Sequence, residues 1–225
     1  MEMTPKRWEN TCAYLRDVFG TQDEHLGGLM ERAVAAGLPS IAVSADVGRL
    51  LMLLTSMTGD GRGAKVAVEL GTLAGYSAIW IARGLSPGGR LITVEPNGLH
   101  ADFAAGEFRR AGVAGSIEIR RAPALDAIPR IAAELGPASI DVAFLDAVKT
   151  EYPAYLAALK PLIRPGGLLI ADNALGSSFW IDDPPGSSPE RDAVDRFNRL
   201  VASDRDFVTA CVPIREGVLI ARKVL

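Results

Sequence analysis

The 225-residue sequence predicts a doubly wound α/β sheet, mostly parallel, with a helical preface and a closing antiparallel hairpin. Three observations point there. From Lys65 onward, apolar runs of strand length alternate with segments of helical periodicity. The runs are apolar on successive residues, as in parallel strands buried on both faces. The last two runs are joined by a short connection, the kind that links antiparallel neighbours.

The elements follow in order. Thr11–Phe19, Asp23–Ala36 and Ala45–Met57 space apolar residues three or four apart and read as amphipathic helices. Ser44 is placed to cap the third. Gly37-Leu38-Pro39 stops the second, with glycine just past the helix and proline beyond. The turn cluster Thr58–Gly63 closes the preface. Strands are predicted at Lys65–Leu70, Arg90–Glu95, Ser116–Arg121, Ile140–Leu145 and Gly167–Ala171. Between them lie the helices Gly75–Gly84, Leu99–Ala111, Ala124–Leu135 and Tyr152–Leu162. A polar loop, Asp182–Pro189, leads to a helix at Glu190–Ala202 and to the strands Phe207–Pro213 and Gly217–Lys223. The length fits one domain, 1–225, in which the helices of 1–63 cover a site on the 64–225 core.

Composition narrows the function. Apolar residues at 48% and charged residues at 23% exclude disordered, collagen-like and low-complexity chains. A net charge of −3 and a pI of about 5.5 argue against nucleic acid as a partner. Basic patches interleaved with aromatics, which an RNA-modifying enzyme would need, are not found. Two cysteines, Cys12 and Cys211, make neither a disulfide framework nor a zinc knuckle and suit a reducing compartment. Two histidines, His25 and His100, are too few for a three-histidine zinc centre. The first ten residues read as no signal peptide. Apolar runs such as Leu50–Leu54 and Leu168–Ala171 fall far short of the roughly 20 residues of a membrane helix. A soluble cytoplasmic protein is expected.

The first strand runs into Glu69-Leu-Gly71-Thr-Leu-Ala-Gly75-Tyr76-Ser77. Glycine at 71 lets backbone pass close to a ligand, and Gly75 can fold the chain sharply into the next helix. The second strand ends in Glu95, an acid placed to accept from both ribose hydroxyls of a nucleoside. An adenosine-containing ligand across the strand ends fits this pattern. A tight strand-to-helix turn without a ligand would also use both glycines. A nicotinamide dinucleotide fits poorly, since Leu73 stands where Gly-x-Gly-x-x-Gly wants glycine and no Tyr-x-x-x-Lys is present.

The fourth strand ends in Asp146-Ala-Val-Lys149 and the fifth in Asp172-Asn173. Tips of neighbouring strands lie about 5 Å apart, so Asp146, Asp172 and Asn173 would share one small volume. Two carboxylates and an amide carbonyl are hard oxygen ligands that suit Mg²⁺. The alternative is that each aspartate caps the helix after its strand. Lys149, three residues from a candidate ligand, becomes a candidate general base rather than a solvated loop lysine. Phe179 and Trp180, in the insertion Leu175–Pro189, either stack on a planar acceptor or pack that insertion against the core. With the helices before Ser44, the insertion is expected to cover the acceptor pocket.

These residues carry a resemblance. The chain resembles the cation-dependent class I O-methyltransferases, the family of catechol and caffeoyl-CoA O-methyltransferases, from about Ile41 to Lys223. The likeness rests on Val43-Ser44-Ala-Asp46-x-Gly48, Val68-Glu69-Leu-Gly71-Thr-x-x-Gly75-Tyr76-Ser77 and Ala122-Pro123-Ala124-Leu125. It also rests on Leu145-Asp146-Ala147-x-Lys149-x-x-Tyr152, Gly166-Gly167…Asp172-Asn173 and Pro213…Gly217…Ala221-Arg222. The resemblance implies a Rossmann-like methyltransferase fold and S-adenosylmethionine as methyl donor. It implies the Val43 main chain, Glu69, Gly71 and Ser77 at the donor's methionine end, Glu95 on its ribose and Ala124 beside its adenine. Thr72, Tyr76, Pro96 and Asp146 complete that implied donor site. Asp146, Asp172 and Asn173 match the family's metal ligands, and Lys149, beside Asp146, its catalytic lysine. A homodimer is implied as well.

The chain departs from the family at Ala122, where glycine is frequent. It departs again at Ala174–Trp180, which replaces a Leu-Trp-x-Gly segment, so phenylpropanoid specificity does not carry over. The expected activity is metal-dependent methylation of a hydroxyl on a small acceptor with two adjacent oxygens, a catechol or other vicinal diol. A nucleoside-binding module without chemistry is the alternative.

Overall fold

A computed structural model gives the structure of residues 4–178 and 180–224. The first helix, α1 (Pro5–Phe19), begins earlier than its apolar periodicity, which starts at Thr11. Its start signal is polar: the Thr4 side chain accepts from the Arg7 amide, and Pro5 opens the first turn. None of its residues is buried, and it rests on the third helix. The second helix, α2 (Glu24–Ala35), is capped by the Asp23 side chain. It ends as expected, the Leu38 amide bonding back to the Ala33 carbonyl past Gly37. The third, α3 (Ala45–Gly61), leaves helical geometry at Thr58, where the predicted turn cluster begins. Ser44 stands at its N-cap but makes no cap bond, and its Oγ is buried without a partner.

Seven strands follow: β1 (Ala64–Leu70), β2 (Leu85–Val94), β3 (Ile117–Arg120), β4 (Ile140–Leu145), β5 (Ile163–Ala171), β6 (Phe207–Val212) and β7 (Val218–Lys223). They form one sheet in the order β3-β2-β1-β4-β5-β7-β6. The first five in that order are parallel, β7 runs antiparallel to β5, and β6 antiparallel to β7. Both β2 and β5 start before the predicted Arg90 and Gly167. Each passes through Pro-Gly-Gly, at 87–89 and 165–167, where its register to the neighbouring strand shifts. Such bulged segments have no apolar pattern to reveal them.

The connecting helices are α4 (Tyr76–Arg83), α5 (Gly98–Arg110), α6 (Ala124–Leu135), α7 (Tyr152–Leu159) and α8 (Pro189–Ser203). Side chains of alternate strand residues leave the sheet on opposite faces. Val68, Leu70, Ile92 and Leu145 pack with Ile128 of α6, Tyr152 and Tyr155 of α7 and Phe197 of α8. Ala67, Leu91, Phe144 and Ile170 pack with Leu29 of α2, Leu51 of α3, Ile79 of α4 and Phe108 of α5. Helices thus cover both faces, as the sequence predicts. The chain lays β2 and β3 on one side of β1 and returns to lay β4 and β5 on the other. A crevice opens at the carboxyl ends where this reversal occurs, the place such sheets bind ligands.

Candidate active site

The crevice begins with the turn after β1. Gly71 has φ +98°, and a Cβ there would collide with the Asp146 carbonyl at the tip of β4. Gly75 has φ +83° and caps α4, with the Phe108 ring where a side chain would go. Both glycines let the turn lie flush against the strand tips.

Beneath the turn, Glu69 is fully buried and accepts from Ser77 Oγ at 2.6 Å and Thr93 Oγ1 at 2.5 Å. Burial pushes its carboxyl up to about 8 against these hydrogen bonds, and the charges of Asp146 and Glu95 raise it further. The folded protein therefore holds a proton that the unfolded chain releases near its ordinary value of 4.5. Its contribution to stability falls as pH rises from about 4.5 to about 8. Across that window the melting temperature of Glu69→Gln should decline less than that of the parent. Parallel declines in scanning calorimetry would remove Glu69 as the cause.

Glu95, at the end of β2, lines the crevice and is 6% exposed. Its carboxylate accepts from the backbone amides of Leu73 and Asn97, both at 2.9 Å. Two oxygens offer about four acceptor positions, so room for ribose hydroxyls remains. His100 Nδ1 stands 3.5 Å from Oε1.

The other end is built on β4 and β5. The Asp146 amide bonds the Leu70 carbonyl, and the Asp172 amide the Leu145 carbonyl, so both aspartates sit at strand tips. Lys149 Nζ donates to Asp146 Oδ1 and to the Tyr152 hydroxyl, each at 2.7 Å, and its side chain is 13% exposed. Burial raises the Tyr152 hydroxyl well above its ordinary pKa, helped by Asp146 and Asp172, so it stays a phenol at neutral pH. Asp172 is fully buried; its Oδ2 accepts from Arg215 Nη1 at 2.9 Å, while Oδ1 has no partner. Burial and the charge of Asp146 raise the Asp172 carboxyl, with Arg215 and Lys149 opposing. Asn173 adopts φ +59° and gives its amide Nδ2 to Glu216 Oε2 at 2.7 Å.

Among the described residues no cluster of three or more His, Cys, Asp or Glu is placed to hold a metal. The set here is two carboxylates and an amide, with one buried carboxylate oxygen unsatisfied. That donor set fits a hard divalent cation.

The crevice encloses about 670 Å³. Of the sequence-predicted residues, Val43, Gly71, Thr72, Tyr76, Ser77, Glu95, Pro96, Asp146, Lys149 and Asn173 line it together. Glu69 and Asp172 lie behind the lining, fully buried and bonded to it. Two further predicted residues among those described are also outside the lining. Ala124 is buried in the first turn of α6 and packs into the core on the α6–α8 face of the sheet. Trp180 is 59% exposed to solvent, and Ser177 and Ser178 supply the wall on that side. Phe179 lies outside the described residues. The preface contributes Ser40 to Val43, the segment ahead of α3, rather than a helix face. Sequence reasoning missed Arg215 and Glu216, which line the crevice from the turn between β6 and β7. Their one signal is position, just before the Gly217 that precedes the final strand.

The O-methyltransferase family model matches residues 17–224. The chain is 36% identical over 202 residues to a catechol O-methyltransferase of Niastella koreensis, covering 90% of this chain and 89% of that protein. Its fold is similar to the O-methyltransferase of Bacillus cereus in complex with SAH, with a TM-score of 0.86, 33% identity, and coverage of 97% and 99%. It is similar also to TomG of Streptomyces achromogenes, an O-methyltransferase involved in tomaymycin synthesis and solved with SAM. That TM-score is 0.85 at 32% identity, with both chains covered in full.

Proposed function

The chain belongs to the O-methyltransferase family and is an S-adenosylmethionine-dependent O-methyltransferase, and from that premise we propose a metal-dependent methylation of one hydroxyl of a vicinal diol. The observation that supports this reading best is the buried Asp172 Oδ1, unpartnered beside Asp146, Asn173 and Lys149 at one end of the donor crevice. Asp146, Asp172 and Asn173 would hold the cation. When bound, a divalent cation supplies positive charge that favours ionisation of an acceptor hydroxyl and orients two adjacent oxygens.

This chain's residues do the rest. Glu95 takes the ribose, and the Val43 main chain, Gly71 and Ser77 bracket the methionine end. Lys149 Nζ receives the proton that leaves the reacting hydroxyl. Ile41, Val148, Ser177 and Ser178 line the same crevice and would give the acceptor two apolar and two hydroxyl surfaces. No helix among the described residues is long and apolar enough to cross a membrane. A cytoplasmic location and a homodimer belong to the same proposal, the latter supported by the exposed Tyr14, Val18 and Phe19 of α1.

The test is a panel of vicinal diols and matched mono-hydroxy compounds, incubated with S-adenosylmethionine and Mg²⁺ and read by mass spectrometry. Monomethylated products from the diols alone support the proposal. Equal methylation of mono-hydroxy compounds would overturn it.

Glu95→Ala should weaken binding of S-adenosylhomocysteine more than tenfold, because charge-assisted hydrogen bonds contribute about 1.5–3 kcal/mol. Unchanged affinity in calorimetry would remove Glu95 from the ribose.

A further inference from the structure

The turn between β6 and β7 extends past the tip of β5, because β7 pairs antiparallel with β5 in the register Ala171↔Leu219. Beyond the strand ends the contact continues in backbone bonds, Ala174 N to Gly217 O at 2.9 Å and Leu175 N to Glu216 O at 2.8 Å. The turn is thereby fixed against Asp172-Asn173. Its two charged residues each meet one of that pair. Arg215, a non-glycine residue at φ +50°, donates to Asp172 Oδ2, and Glu216 accepts from Asn173 Nδ2.

We propose that Glu216 is a positioning residue that fixes which way round the Asn173 amide sits, turning its carbonyl oxygen toward the cation. The inference rests on the metal-dependent reading above. A carboxylate only accepts hydrogen bonds, whereas an amide has one accepting and one donating end. Asn173 must therefore present its NH₂ to Glu216, since the flipped amide would set oxygen against oxygen. The oxygen left over is the only atom of that side chain able to ligate a cation. Arg215 does the complementary job at Asp172: a guanidinium only donates, so it engages Oδ2 and leaves Oδ1 without a protein partner. Partners behind a metal's direct ligands typically set its affinity by 10–100-fold.

The test uses the full chain and Mn²⁺ alone, with free Mn²⁺ followed by electron paramagnetic resonance and binding by calorimetry. Glu216→Gln keeps the size of a side chain that is 29% exposed, but its amide tolerates either orientation of Asn173. Mn²⁺ affinity should fall about tenfold or more, with melting temperature and S-adenosylhomocysteine affinity unchanged. A cycle with Asn173→Gly separates positioning from bulk charge, since glycine accepts the φ of +59° and removes the amide. In that background Glu216→Gln should have no further effect. Parental affinity in Glu216→Gln, or equal losses in both backgrounds, would overturn the inference while leaving the metal-dependent reading intact. Failure of the parent itself to take up Mn²⁺ would overturn that reading, and this inference with it.

Discussion

Lys149→Ala is expected to lower kcat by about 10²–10⁴, the usual contribution of a general base, while leaving S-adenosylhomocysteine affinity near the parental value. Methyl transfer from a sulfonium to oxygen is an in-line displacement whose nucleophile works best as an oxyanion. Some group must take the hydroxyl proton. The hydroxyl of Tyr152 cannot: burial keeps it a phenol, and it is already engaged with Lys149 and the Leu145 carbonyl. Lys149 Nζ lines the crevice and is held by two anchors, Asp146 Oδ1 and the Tyr152 hydroxyl, so its amine is aimed before the acceptor arrives. Lys149→Arg should not restore turnover, because a guanidinium stays protonated and cannot accept. Steady-state kinetics on both variants decide the matter. An arginine variant with parental kcat at neutral pH would show that position 149 only orients substrate.

Stripping divalent cations is expected to cost about 10² or more in kcat. Charge stabilisation by a bound cation supplies several kcal/mol, and each 1.36 kcal/mol is tenfold in rate. The same cation should raise the melting temperature. The charge of Asp146 disfavours ionisation of the buried Asp172, a cation would relieve that conflict, and a ligand that binds only the folded state stabilises it. Protein treated with EDTA and re-dialysed should recover both turnover and melting temperature on addition of Mg²⁺. Full turnover in excess chelator would end the metal-dependent proposal. Asp172→Asn should resemble stripped protein in kcat even at saturating Mg²⁺.

What could be read from the sequence, and what could not, divides along chain distance. Gly71, Gly75 and Glu95 lie on one strand-turn-helix-strand unit, so spacing alone places them at one crevice. Asp146 and Asp172 end two successive apolar strands, which share a site only if they are neighbours, and β4 and β5 do pair in parallel. Arg215 meets Asp172 across 43 residues, through an antiparallel pairing whose register no local pattern reveals. The start of α1 escapes the pattern because Trp8 is the one large apolar side chain among its first six residues, too few to set a helical period. The beginnings of β2 and β5 were hidden by Pro-Gly-Gly, which reads as a turn but bulges within a strand. Trp180 has the chemistry of a stacking aromatic, yet nothing in the sequence specifies how far a loop side chain turns toward solvent.

Helix α1 has a consequence for how the molecule breathes. With no buried residue and its main support on α3, it is an opening unit of low free energy, distinct from the sheet. Its amides should exchange with deuterated solvent long before those of β1 or β4, whose residues lie between two packed cores. Donor binding should not slow that exchange, since no α1 residue lines the crevice. Slower exchange of α1 at higher protein concentration would therefore report burial of Tyr14, Val18 and Phe19 by a second copy of the chain. The weakest-held helix becomes a built-in gauge of self-association.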